Sequence, residues 1–230
     1  MILAIESATP FGSVALVAGG RVVAETVLPR ERQVSGTYLS AVGGLFASSG
    51  ASPDDVGCVA VSAGPGSFTG LRVGMAAAKG FCFGWGVGIV PVPTLAALAS
   101  RFPLEGEVVC PILDARKGEV YAALFRRGAG EPERIAPDMA ITPAGLLSRL
   151  PEGKIVFCGD GVGPFGDFFR ERLGERAALV REEEGLPRAT AVGILGARLF
   201  LAEGASDPRS SLPSYLRPSE AERSRRAPRR

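Results

Sequence analysis

Three short apolar segments open the chain. Ile2–Glu6 is a continuous apolar run, Ser13–Val17 follows a turn at Thr9–Gly12, and Arg21–Leu28 alternates apolar and polar residues after Gly19-Gly20. Runs of this length bounded by glycine and proline read as strands, and their tight turns make an antiparallel meander. The period then changes. Leu39, Val42, Leu45 and Phe46 fall on one face of a helix over Tyr38–Ser49. A Val- and Ala-rich strand over Val56–Ala63 leads into the loop AGPGSFTG and a helix over Thr69–Phe83. Val87–Val92 is the next buried strand, and Thr94–Ser100 starts another helix.

Near Arg101–Glu107 the pattern restarts. Val108–Asp114 and Glu119–Arg126 read as strands joined at Ala115–Gly118. Thr142 caps a helix over Thr142–Leu150, with Pro143 in its first turn. Lys154–Cys158 and Ala177–Arg181 read as strands, Pro164–Leu173 and Ala189–Glu203 as helices. Strands interleaved with helices after a meander predict mixed sheets covered by helices. The expected organisation is an α/β chain in two lobes: residues 1–100, residues 101–216 with the helix at 189–203 returning to the first lobe, and a disordered basic tail at 217–230.

Charge is uneven along the chain. The formal net charge is +2, but six Arg and two Glu from Arg217 onward give that segment +4 and leave the remainder at −2. The body lacks the basic footprint of a protein that holds nucleic acid unaided. The tail therefore reads as a solvated end, not an RNA arm. Hydrophobic content of 46% supports a full core. Cys58, Cys82, Cys110 and Cys158 have no CxxC spacing and read as buried, reduced thiols. The chain has no histidine, which removes Ser-His-Asp triads, Cys-His pairs and His-metal sites together. No targeting segment is expected, because Glu6 interrupts the first apolar run. The uncharged stretch Gly80–Ser100 has the length of a membrane span, but Pro91 and Pro93 break it. The expected location is the cytoplasm.

The candidate chemistry is sparse. The loop AGPGSFTGLRVG is no Walker A loop, since no Lys follows Gly70 and Arg72 is out of register. Two readings remain open for it: a strand-to-helix turn capped by Ser67 or Thr69, or an anion loop. Gly161-Val-Gly163-Pro-Phe-Gly166 matches GxGxxG, but too little chain follows for a dinucleotide fold. Glu6, Asp114 and Asp160 lie at strand ends, where α/β folds gather ligands. With Ser7, Thr9, Gly159 and Gly161 they are the candidates for ATP, ADP or Mg²⁺, although the 6–12 turn is poor in glycine. The helix behind the loop carries Gly70, Gly74, Ala76, Ala77, Ala78, Gly80 and Gly84, a composition suited to close approach of another helix.

The blocks ILAIESAT, GPGSFTGLRVG, DARKGEVYAALF at 114–125, GDGVGPF at 159–165 and YLRPSEAE at 215–222 occur in that order. In this the chain resembles the TsaB (YeaZ) family, which acts in threonylcarbamoyl modification of tRNA. The resemblance implies the two-lobed actin-like ATPase superfold, shared with sugar kinases. It implies a non-catalytic role beside TsaD, which transfers the threonylcarbamoyl group to adenine 37 of tRNA, with the ATPase TsaE as a third component. It also implies that the first two helices contact TsaD, or a second copy of the chain when TsaD is missing. Carried over, the contact residues are Tyr38, Val42, Leu45 and Phe46 on one helix and Thr69, Gly70, Val73, Gly74, Ala77 and Ala78 on the other. No cofactor or metal is assigned. Two departures stand out: Glu6-Ser7-Ala8-Thr9 replaces Asp-Thr-Ala-Thr, and Arg32-Gln33-Val34-Ser35 lacks the usual His. The competing readings are an ATP-dependent phosphotransferase of the same superfold, a metallopeptidase and an isolated RNA-binding module.

Overall fold

In the computed structural model the structure describes residues 1–28, 35–102, 108–127 and 132–217. The first strands are β1 (Ile2–Glu6), β2 (Ser13–Ala18) and β3 (Arg21–Val27), followed by helix α1 (Ser35–Ser49). Then come β4 (Cys58–Gly64), α2 (Phe68–Trp85), β5 (Gly88–Pro93) and α3 (Thr94–Ala99). The strands form one sheet in the order β3-β2-β1-β4-β5. β1, β2 and β3 pair antiparallel, while β1, β4 and β5 pair parallel. The Arg32–Val34 segment flagged by the sequence lies outside the described residues.

The second sheet repeats this plan. Its strands are β6 (Val108–Asp114), β7 (Val120–Arg127) and β8 (Pro132–Ile141), then α4 (Pro143–Leu147), β9 (Ile155–Cys158), α5 (Val162–Leu173) and β10 (Ala177–Leu179). The order β10-β9-β6-β7-β8 matches the first sheet position for position, with β6, β7 and β8 antiparallel and β6, β9 and β10 parallel. The fold class is the expected one: two-lobed, α/β and actin-like.

Strand β8 is absent from the sequence reading. It carries two prolines, Pro132 and Pro137, and its register against β7 shifts on both sides of Leu124. It is an edge strand, where proline on the open side costs no ladder hydrogen bond. A short helix, α6 (Glu182–Gly185), also appears where none is expected before the long α7 (Ala189–Glu203).

The core follows from the layers. One face of the first sheet packs Leu3, Ile5, Val59 and Val61 against Tyr38, Val42 and Leu45 of α1 and Met75, Ala78 and Cys82 of α2. The other face takes α7. Two glycines set that distance: a Cβ on Gly193 would lie 2.5 Å from Val17, and one on Gly196 2.6 Å from Ala60. Leu95, Leu98 and Ala99 of α3 pack with Val109, Leu113 and Phe125 of the second sheet. All four cysteines are buried and free; burial pushes the Cys58 thiol up to about 11 and Cys82 up to about 12, which keeps them inert.

Candidate partner interface and interlobe cleft

The AGPGSFTG loop is a packing joint. Ser67 is the N-cap of α2, its Oγ accepting from Gly70 N–H at 3.2 Å, as the capping alternative requires. Its own N–H donates to Ala8 O at 2.6 Å. Each glycine admits a neighbouring backbone. A Cβ on Gly66 would sit 2.5 Å from Ala8 O, one on Gly70 would overlap Ser7 O, and one on Gly64 (φ 115°) would overlap Ser214 O. Glycine is needed here because three chain segments meet with no room for a side chain.

The candidate nucleotide residues do not converge. Glu6 and Ser7 are completely buried and Thr9 nearly so. Glu6 Oε1 accepts from Ala8 N–H at 2.5 Å, while Oε2 and Ser7 Oγ have no hydrogen-bond partner among the described residues. Burial raises the Glu6 carboxyl to about 7, against the pull of hydrogen bonds from Ala8 and Ser62 and with a small push from Asp160. Thr9 Oγ1 closes its own turn on Phe11, accepting from N–H and donating to O, both at 3.3 Å. A Cβ on Gly159 would overlap Ile112 O, and one on Gly161 would lie 2.9 Å from it, so both glycines serve the packing of the β9 turn against β6.

A cleft of about 350 Å³ does lie between the lobes, lined by Ala8, the Pro65–Thr69 loop, Asp114–Lys117, Tyr121, Asp160 and residues 214–217. Glu6, Ser7, Thr9, Gly159 and Gly161 do not line it. Its carboxylates are engaged locally: Asp160 Oδ1 accepts from Asp114 N–H at 3.0 Å, and Asp114 accepts from Arg116 N–H at 2.8 Å and pairs with its guanidinium at 3.2 Å. Among the described residues no three metal-ligating side chains cluster. This set does not fit a Mg²⁺-nucleotide, which needs exposed carboxylate oxygens and open backbone amides.

The cleft wall includes a strap sequence reasoning missed. After α7, Ser206 pairs with Ile89 through two backbone bonds of 3.1 and 2.8 Å, capping the β5 edge. Ser214 N–H then donates to Ala63 O at 2.7 Å. Tyr215 packs at a tilt of 37° against Phe68 with centroids 4.8 Å apart and accepts from Arg72 Nε at 3.2 Å. Arg217 finally pairs with Glu119 in the second lobe.

The α1–α2 pair carries an apolar groove of about 590 Å³ on its outer side, formed chiefly by Leu39, Gly43, Phe46, Ala77, Gly80 and Trp85. Trp85 packs against Phe46 at 5.7 Å and Phe81 at 4.8 Å. Leu39 is 64% exposed. Gly36, Gly43, Gly80 and Gly84 have open space where a Cβ would stand. Interior helical glycine costs about 1 kcal/mol relative to alanine, and packing among the described residues gives no reason for Gly43, Gly80 and Gly84.

This corrects the expected contact residues. Tyr38, Val42, Leu45, Gly70, Gly74 and Ala78 face inward and are buried in the first lobe. Tyr38 donates through its hydroxyl to Glu6 O at 3.2 Å, and a Cβ on Gly74 would overlap Ser7 Oγ and lie 2.7 Å from Ser7 Cβ. Of the ten, Phe46, Thr69, Val73 and Ala77 remain at the surface. The outer face belongs instead to Leu39, Gly43, Ala76, Gly80, Gly84 and Trp85. The spacing of Ala76, Gly80 and Gly84 at every fourth residue was the available signal.

Comparison with known proteins follows the same lines. A family model described as "TsaD: tRNA N6-adenosine threonylcarbamoyltransferase" matches residues 22–224. The chain is 29% identical over 223 residues to the tRNA threonylcarbamoyladenosine biosynthesis protein TsaB of Bacillus subtilis, covering 96% of each chain. It is 36% identical over 182 residues to TsaB of Haemophilus influenzae, covering 75% of this chain and 77% of that one. The solved structure of YeaZ from Pseudomonas aeruginosa superposes with a TM-score of 0.77 at 27% identity, covering 94% of this chain and 99% of that one. Likeness of fold alone extends to component A of (R)-2-hydroxyglutaryl-CoA dehydratase from Acidaminococcus fermentans, with a TM-score of 0.51 at 10% identity over 84% of this chain and 96% of that one.

Proposed function

The chain belongs to the TsaB (YeaZ) family, and we propose that it is the non-catalytic partner subunit of the tRNA N6-threonylcarbamoyladenosine modification complex, docking on TsaD through the outer α1–α2 groove. The observation that carries this reading is the groove itself: apolar, lined by Leu39, Phe46 and Trp85, with glycines that packing among the described residues does not require. Such a surface lets a partner helix approach closely while its apolar side chains fill the groove. In the absence of TsaD the same face supports a homodimer. TsaE and tRNA join through the assembled complex. The test is co-purification with the cognate TsaD, expected to give a stable complex, followed by competition between TsaD binding and self-association. A complex that forms beside an intact homodimer places the contact elsewhere.

The same reading predicts no intrinsic turnover of ATP or peptide. Glu6 is sealed from the cleft, Asp114 is held by its own loop, and the chain has no histidine. ATP hydrolysis by the purified chain within the usual enzyme range, roughly 1–10³ s⁻¹, and lost in Asp114→Ala, would contradict it.

A further inference from the structure

The chain after α7 is held at points far apart in sequence. Its first contact, the pair of backbone bonds between Ser206 and Ile89, already covers the β5 edge. Edge protection needs nothing beyond that point. The chain nevertheless continues through a turn at 207–211, where Asp207 O accepts from the Ser210 and Ser211 N–H groups at 3.2 and 3.3 Å, and runs on to the end of β4. Ordering a segment with no helix or strand of its own costs conformational entropy at every residue. Contacts must offset that cost, and here they lie where the two lobes meet.

The first lobe is shaped to receive this strap. A Cβ on Gly88 would overlap the Ala205 Cβ, and one on Gly64 would overlap Ser214 O, so the strap lies close against the lobe at both ends. Ser214 N–H donates to Ala63 O at 2.7 Å. Tyr215 then seats on the start of α2, against the Phe68 ring and with its hydroxyl accepting from Arg72 Nε. The Arg72 guanidinium lies 3.8 Å from the Phe68 centroid, which closes the cluster. Two residues further on, Arg217 pairs with Glu119, the residue before β7 in the other lobe. Their side chains are 23% and 25% exposed, so water screens the pair only in part. Consecutive contacts of one short segment thus fall on opposite walls of the cleft, and residues 214–217 line it.

We propose that the strap at 205–217 is an interlobe latch: Tyr215 seated on Phe68 and Arg72, and Arg217 paired with Glu119, hold the two walls of the cleft at one separation. The inference goes beyond the partner role and does not rest on it, since every contact lies within one chain. A partly exposed ion pair and a tilted aromatic contact favour the closed arrangement without making it permanent. On release, the lobes keep the apolar contact of Leu95 and Leu98 of α3 with Val109, Leu113 and Phe125. Rotation about that contact opens the cleft, as in hinged two-lobed proteins.

The test measures distances between spin labels on the full chain. One pair is Ala47→Cys with Glu171→Cys and the other Ala202→Cys with Glu171→Cys, all at exposed positions and each pair spanning the two lobes. The four native thiols are buried and escape labelling. Labelled chain is diluted into unlabelled chain, so that only distances within one molecule are read. The parent is expected to give one narrow distance for each pair. Tyr215→Ala and Arg217→Ala, made separately, are expected to broaden the distributions and shift their means, while cooperative thermal unfolding shows that the lobes stay folded. Hydrogen exchange at the Ser214 amide reads the strap itself and should accelerate at least about tenfold in both variants. Broad distances in the parent would overturn the latch. So would parent distances in variants whose Ser214 amide is freed, which would make the strap a cover for the first lobe alone. Parent distances beside an unchanged Ser214 amide would overturn it too, since Tyr215 and Arg217 would then hold nothing.

Discussion

Leucine at Gly74 is expected to unfold the isolated chain, whereas leucine at Gly80 leaves it folded and removes its partner. The two positions lie on one helix and differ only in facing. At Gly74 even a Cβ overlaps Ser7 Oγ, and behind Ser7 stands the central strand β1, which cannot withdraw without disturbing both neighbours. Overpacking of this kind costs about 3 kcal/mol or more when backbone must move, a large part of the stability of an ordinary domain. At Gly80 a Cβ would meet no neighbour within 4 Å among the described residues. Alanine there should raise the stability of the isolated chain by up to about 1 kcal/mol through helix propensity. Leucine should fill the groove proposed for TsaD and weaken binding by at least about 2 kcal/mol, roughly thirtyfold in Kd. Thermal unfolding of each isolated variant and titration with TsaD separate the effects. Normal stability in Gly74→Leu, or normal TsaD affinity in Gly80→Leu, would contradict this assignment of faces.

The second large effect is a pH dependence centred on Glu6. Its carboxyl keeps its proton up to about pH 7 in the folded chain because burial disfavours the charged form. In the unfolded chain it ionises near the ordinary value of 4.5. Between those values the folded state binds more protons, so stability is full below about 4.5, falls as pH rises, and levels off above about 7. The difference corresponds to about 3 kcal/mol. Glutamine is neutral at every pH and can still accept the Ala8 N–H bond through its amide oxygen. Glu6→Gln should therefore match the parent chain near pH 4.5 and exceed it by up to about 3 kcal/mol at pH 8. Urea unfolding of both proteins at the two pH values reads this directly. A constant difference between them would show that Glu6 is not the titrating group.

Local signals in the sequence carried much of this fold. The meander, the Thr142 cap and a cap at Ser67 or Thr69 all rest on chemistry within a few residues; the meander and the Thr142 cap appear in the structure, and Ser67 is the residue that caps α2. What escaped depends on contacts distant in sequence. The facing of α2 is one case: glycine and alanine occur on both sides, Gly70, Gly74 and Ala78 inward, Ala76, Gly80 and Gly84 outward. Hydrophobic periodicity cannot orient a helix whose small residues are chosen for close approach on two faces. Glu6 is another, because a carboxylate at a strand end reads as a ligand until the loop at 63–70 is seen to cover it. The strap at 205–217 has little periodic pattern, and its order comes from Ile89, Ala63, Phe68 and Glu119. Strand β8 was hidden by its two prolines, which its edge position tolerates.

In the proposed role this chain is required by the threonylcarbamoyl transfer without performing it. The most direct measurement is reconstitution of the reaction from TsaD, TsaE and unmodified tRNA, with the activated threonylcarbamoyl donor, in the presence and absence of this chain. Modified adenosine should accumulate only when the chain is added, and Gly80→Leu should fail to restore it while Asp114→Ala succeeds. Equal rates with and without the chain, or full rescue by Gly80→Leu, would contradict the account.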